Sequence, residues 1–285
     1  MTENPRSVWL FRYAVLCAVC TLVLICLGGI VTSKGVGMAV PDWPTSFGYN
    51  MFWLPLEQWW GIGGVHDEHL HRLVASTVGA LTVLLAFWIQ FREKRPWLRR
   101  LGWGAVALVV TQGLLGGLRV VLDKHTLLNS TGGVWFGIAH ATLGQLFFAT
   151  VSSIAFFLSR MWNSLAAVGS DWVPAGLKRL SHLMVVGFVI QLLIAAAMRH
   201  QHAGLAIPDF PLAHGQIWPA TDPESMGRYN QRRIGPVNEA EVTPFQIQLQ
   251  MAHRVVAVLL VTGVVVLGGR LIRRGGVHAS LGYLC

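Results

Sequence analysis

Charged side chains are scarce in this chain. They make up 12% of its 285 residues, against 53% hydrophobic, where soluble domains carry roughly 25% charge. That scarcity excludes an ordinary soluble globular protein and places the chain among integral membrane proteins. A concentrated basic surface is also missing. The net charge of +9 is spread over short loops rather than gathered on one solvated face, so no nucleic-acid partner is expected. Cysteine is sparse as well: Cys17, Cys20 and Cys26 lie inside the first apolar run and Cys285 is the last residue. No pair is available in a loop for an outer disulfide, and Cys17-x-x-Cys20 reads as packing or lipid-facing sulfur rather than a redox or metal pair.

What is present is apolar length. Six runs, at about 10–32, 69–91, 101–121, 135–158, 179–198 and 248–269, approach the roughly 20 residues that cross a bilayer. The fold class expected is therefore all-α integral membrane. Thirteen of the 22 Lys and Arg residues fall in the N-terminal segment (Arg6, Arg12), between the second and third runs (Arg92, Lys94, Arg95, Arg99, Arg100), between the fourth and fifth (Arg160, Lys178, Arg179) and after the sixth (Arg270, Arg273, Arg274). These are alternate loops, so the positive-inside rule puts them and the N-terminus in the cytoplasm and the chain in the cell (plasma) membrane, in contact with lipid.

The chain also repeats itself. Gly37-Met38-Ala39-Val40-Pro41-Asp42-Trp43-Pro44 matches Gly204-Leu205-Ala206-Ile207-Pro208-Asp209-Phe210-Pro211, with five identities in eight positions. Each copy leads to a run carrying His-Arg, at His71-Arg72 and at His253-Arg254, so the chain reads as two related halves. The first run passes directly into the first copy, which argues that it is retained rather than cleaved as a signal peptide. From Pro44 to His71 there are 27 steps and from Pro211 to His253 there are 42. Duplication of a four-helix half predicts eight helices where six are seen. The sequence is thus expected to be a fragment of a longer protein or a shortened natural form.

An ionisable group inside a membrane run is costly unless paired, hydrated or ligating. His71, His140 and His253 each lie near the outer end of a run. Imidazoles on facing helices of a bundle can hold a haem iron from both sides. A lone histidine on an apolar helix is more often a core residue, but three at matched depth, two of them repeat-equivalent, favour iron. Zinc is disfavoured because His66-Asp67-Glu68-His69-Leu70-His71 lacks the His-Glu-x-x-His order. His66 and His69 are expected to be solvated interface residues.

Glu68 precedes His71 by three residues and shares its helical face. A carboxylate there can accept a proton or balance developing positive charge; the bland alternative is that it faces outer water. The offset that aligns His71 with His253 carries Glu68 to Gln250, which cannot ionise, so only the first half carries an acid/base group. Arg72 and Arg254 are candidate partners for haem propionates or headgroup anchors, with Arg119 and Arg199 weaker candidates. Trp43, Trp53, Trp59, Trp60 and Trp135 are expected in an outer aromatic belt. His200, His202 and His214 are left as solvated or propionate-side residues.

Gly28-Gly29-Ile30-Val31-Thr32, Pro41-Asp42-Trp43-Pro44, Glu68-x-x-His71-Arg72, Gln112-Gly-Leu-Leu-Gly-Gly117, His140, Pro208-Asp209 and His253-Arg254 together resemble the haem A synthase family over essentially the whole chain. The resemblance implies two pseudo-repeated four-helix bundles, the second incomplete here, that oxidise the ring methyl of haem O to a formyl group by successive hydroxylations for terminal oxidase assembly. It further implies a substrate haem O site in residues 1–160 with iron ligands His71 and His140 and Glu68 as catalytic group. Residues 161–285 would hold a cofactor haem b through His253, with the fourth histidine absent, since the topology puts His278 on the cytoplasmic side. Haem O synthase (protohaem farnesyltransferase) and an electron donor are the implied partners, and a homo-oligomer remains open. The runner-up is a di-haem b-type cytochrome exchanging electrons with quinone, which would not need Glu68. A transporter would predict helices broken near the midplane, and these runs look continuous.

Overall fold

A computed structural model describes residues 5–124, 130–166, 174–232 and 241–273; His278 and Cys285 lie outside these. The chain divides into two units, Met1–Val168 and Gly169–Cys285. Among the described residues six helices are long and apolar enough to span a membrane, and the only strands are two of two residues each. The protein is an all-α, multi-pass membrane protein. Helices suit that setting because each satisfies its own backbone groups. Hydroxyls inside the spans do likewise: Thr21, Thr82 and Thr142 donate to the carbonyls of Cys17, Val78 and Ile138, one turn back.

In the N-terminal unit, α1 (Pro5–Ser33), α2 (Gly63–Arg92), α3 (Pro96–Lys124) and α4 (Ser130–Leu158) are followed by the short α5 (Arg160–Ala166). Helix α1 packs on α2 and α4, and α3 packs on the same two. The four therefore close into a ring in which α2 and α4 stand diagonally. The apolar core comprises Leu10, Ala14 and Cys17 of α1, Val78, Leu85 and Ile89 of α2, Leu98 and Ala105 of α3, and Phe147, Val151 and Ile154 of α4. All of these belong to the end where α1 starts and α2 finishes. The tight plug thus fills one end of the ring, and the histidine-bearing segments occupy the other. Cys17, Cys20 and Cys26 are free, as expected of packing or lipid-facing sulfur.

Helix α2 begins at Gly63, six residues before the apolar run. The polar segment His66 to His69 dilutes hydropathy but continues the helix. Between α1 and α2 the chain forms a strap. Here β1 (Thr45–Ser46) pairs antiparallel with β2 (Tyr49–Asn50) around Phe47 and Gly48, both at positive φ, as a two-residue type I′ turn requires. The Asp42 carboxylate accepts the N–H groups of Phe47 and Gly48.

In the C-terminal unit α6 (Ala175–His200) packs on α8 (Pro244–Ile272). Gly187 and Gly263 let the helices close up, since a Cβ at either would press on Leu260 or Met184. The strap recurs: His214 and Gly215 take the positive φ values, Asp209 accepts their N–H groups, and Phe210-Pro211 is cis like Trp43-Pro44. The longer spacing to His253 accommodates α7 (Pro223–Gln231), whose Met226 and Tyr229 pack on Ile207, Ile247 and Met251. Thr243 caps α8 in a capping box with Gln246.

Candidate functional site

Glu68 is 4% exposed, so it does not face outer water. Its Oε2 accepts the Val40 N–H at 2.8 Å and its Oε1 accepts from Arg72 Nε and Nη2 at 3.1 and 2.6 Å. Arg72 also donates to the carbonyls of Asp42, Thr45 and Val40 at 2.6, 3.3 and 2.9 Å. All five guanidinium N–H groups are therefore spent on Glu68 and the strap. The side chains of this pair are 10% and 5% exposed. An ion pair buried so deeply is tolerated because every lone pair and proton facing inward has a partner.

The C-terminal unit repeats the latch without the charge. Gln250 Oε1 accepts the Ile207 N–H at 2.7 Å, and its Nε2 donates to the Gly204 and Ile207 carbonyls. Arg254 donates to the Asp209 and Leu212 carbonyls and lies over the Phe210 ring. A neutral amide is thus sufficient to pin a strap. The carboxylate at Glu68 differs from that amide in also pairing with the buried Arg72 guanidinium, a bond that Gln250 does not make to Arg254.

His71 and His140 sit on the diagonal helices α2 and α4. Each Nδ1 is buried with no hydrogen-bond partner. Each imidazole rests in a glycine notch: a Cβ on Gly28 of α1 would stand 3.0 Å from His71 Cε1, and one on Gly116 of α3 would stand 3.3 Å from His140 Cε1. Gln112, one turn before Gly116, donates Nε2 to the His140 carbonyl at 2.7 Å. At Gly117 a Cβ would collide with the Trp43 indole, so the strap ring lies against α3 beside the histidine pair. Two buried, unspent ring nitrogens on facing helices, above an apolar plug, are the donor set that a bis-imidazole porphyrin site needs. Counted from the helix starts at Gly63, Ser130 and Pro244, His71, His140 and His253 lie about 12–15 Å in at 1.5 Å per residue.

His253 has a different environment. Gln191 Nε2 lies 3.0 and 3.2 Å from its two ring nitrogens and 3.2 Å from its carbonyl oxygen. Arg119 lies on α3, three residues after the Gly116 notch that seats His140. His69, expected at the solvated interface, is 1% exposed; its Nδ1 is 3.4 Å from Ser46 Oγ and its ring packs on Trp59. Trp59 is likewise buried, while Trp53, Trp60 and Trp135 are exposed as a belt requires. His214 stacks on Tyr229 with centroids 3.7 Å apart. The positions that sequence reasoning left without a role are Gly28, Gly116, Gly117, Gln112 and Gln191. Their signal was there, as glycine pairs and lone amides inside apolar runs.

Residues 65–283 match a family model, COX15-CtaA, described as cytochrome oxidase assembly protein. The chain is similar to the heme A synthase of Alkalihalophilus pseudofirmus, 27% identical over 228 residues that cover 79% of this chain and 71% of the relative. That of Shouchella clausii is 28% identical over 218 residues, 76% and 67% of the two chains. That of Methylobacterium radiotolerans is 24% identical over 254 residues, 75% and 61%.

Proposed function

Because the chain belongs to the COX15-CtaA family of cytochrome oxidase assembly proteins, we infer that it is a membrane oxidoreductase that makes haem A, oxidising the ring methyl of haem O to a formyl group by successive hydroxylations. The observation that carries this reading is the contrast between Glu68 and Gln250. Two straps are pinned by the same bond, to Val40 in one unit and Ile207 in the other, yet only the unit with the paired, unspent histidines keeps a carboxylate. A cytochrome that merely exchanged electrons with quinone would need that carboxylate only to balance Arg72, whereas oxidation of a haem substituent also calls for an acid or base beside the histidine pair.

In this reading residues 1–160 hold the substrate haem O through His71 and His140. Glu68 is the catalytic group: its carboxylate accepts a proton or balances positive charge at the carbon being oxidised. Trp43 and the strap shield that end of the ring from water. Residues 161–285 hold a haem b through His253, and bound there it supplies electron relay. Arg72 has no N–H left for a propionate and serves to place the strap. The propionate role falls to Arg254, which engages two carbonyls. The positive-inside pattern orients the sites to the outer face of the cell membrane with the N-terminus in the cytoplasm. Haem O synthase supplies the substrate, a separate donor supplies electrons, and self-association into a homo-oligomer is open to measurement.

Glu68→Gln, expressed with a source of haem O, tests the assignment. The Val40 bond is retained, as Gln250 demonstrates for Ile207, but Arg72 loses its charge partner, so folded protein and bound haem are quantified first and haem A is scored per bound haem. Haem A in extracted pigments should fall by about 10²-fold or more, the usual worth of a positioned acid or base. Undiminished haem A would remove Glu68 from the mechanism.

A further inference from the structure

Helix α3 presents one stripe to lipid and the opposite stripe to the histidine end of the ring. Val110, Leu114 and Leu118 are exposed, as a lipid-facing row spaced by four residues requires. At about 100° per residue, Gln112, Gly116 and Arg119 fall together on the other side of the helix. Contacts fix where that second stripe points, since Gln112 donates to the His140 carbonyl and Gly116 seats the His140 ring. Arg119 follows Gly116 toward the outer end of α3 by about 4.5 Å along the axis, and it is half-buried. A guanidinium on the inner face of a spanning helix marks a ligand path, whereas one that anchored the helix at the headgroups would leave from the lipid stripe. Among the described arginines of the N-terminal unit, Arg72 and Arg119 are the two on the histidine halves of their helices. Every N–H of Arg72 is engaged by Glu68 and the strap.

We propose that Arg119 is a substrate-positioning residue, whose guanidinium takes a propionate carboxylate of the porphyrin held between His71 and His140. The proposal rests on those two histidines being the ligands of the substrate iron. A porphyrin held only through its iron can turn about the axis joining the imidazoles, and each turn brings a different ring substituent to Glu68. The two propionates share one edge of the macrocycle, so a planar, fork-shaped donor at a fixed place on α3 selects one rotation. Glu68 stands on α2, and anchoring the propionate edge at α3 therefore decides which substituent meets the carboxylate. Oxidation confined to one ring methyl needs that selection.

Haem O and its propionate dimethyl ester, titrated into the purified full-length chain, test this through the Soret change that is lost when His71 and His140 are both replaced by alanine. Esterification leaves the iron and the macrocycle intact and removes the carboxylate charge. Wild-type protein should bind the free acid about 10-fold more tightly than the ester, or better, the worth of a charge-assisted hydrogen bond. Arg119→Gln should lose that preference and bind both forms with the affinity of the ester. Arg119→Lys, a point charge without the planar fork, should keep only part of it. An acid-to-ester ratio in Arg119→Gln equal to that of wild type overturns the proposal, as does a wild-type ratio near one. If the glutamine variant does not fold, an undiminished ratio in the lysine variant overturns it alone. Absence of any Soret change that depends on His71 and His140 would instead sink the underlying reading of the site, and this proposal with it.

Discussion

Asp42 and Asp209 do the same work in the two straps, and their ionisation ties that work to pH. Burial on its own would raise the Asp42 carboxyl, but hydrogen bonds from Thr45 and from the Gly48 and Phe47 N–H groups, with the Arg72 charge nearby, hold it below the usual carboxylate value. Asp209 is lowered in the same way, against burial, by the Gly215 and His214 N–H groups. A group whose folded pKa is depressed contributes stability that is present above its unfolded value, about 3.9 for Asp, and lost as pH falls through the folded value. Thermal melts of the solubilised protein are therefore expected to drop below about pH 4. Asp42→Asn should melt lower at neutral pH and lose part of that acid dependence; an identical pH profile would show that the turn does not depend on the carboxylate. Glu68 and His69 mark the limit of reading residues singly. Nothing in their neighbours along the chain says that a strap some 28 residues earlier will cover Glu68 or that Ser46 and Trp59 will enclose His69.

The elements most informative about function are the strap and the notched face of α3. The segment Gln112-Gly-Leu-Leu-Gly-Gly117 divides its labour by helical spacing: Gln112 holds the His140 backbone, Gly116 admits the imidazole and Gly117 admits the Trp43 indole. Gly117→Ala should displace the indole and destabilise the N-terminal unit by about 1–3 kcal/mol, the range for an overpacked contact. Adding Trp43→Ala should return most of that loss in a double-mutant cycle of melting temperatures. Additive losses would mean that the contact is not what the glycine is for. The start of α2 is legible only in part from hydropathy. Its first turns are polar because they face Val40, Asp42 and Trp59 rather than lipid, and a window that rewards apolar residues begins six positions late.

At the scale of the molecule, burial is segregated along the N-terminal bundle, with a close-packed apolar plug at one end and polar, notched, strap-covered chemistry at the other. Such a division lets one end carry stability while the other carries the histidines and the strap. The proposed orientation has a direct check. A single cysteine replacing Lys94, in an otherwise cysteine-free background, should react with an impermeant maleimide only in inside-out vesicles, and one replacing Thr45 only in right-side-out ones. The reverse pattern would put the histidine end in the cytoplasm.

The sequence by itself determined the spanning helices, the duplication and the histidine set, because crossing hydrocarbon demands about 20 apolar residues whatever surrounds them, and because any ionisable residue stands out against that background. The repeat even isolated Glu68 from Gln250. Only the tertiary structure decided how those residues are used: that Arg72 is saturated by Glu68 and the strap, that Glu68 is buried and latched, that two glycine notches seat imidazoles on diagonal helices, and that Gln191 lies against His253. Those outcomes depend on contacts between segments far apart in the chain, where direction and distance in space, not spacing along the sequence, choose each side chain's partner.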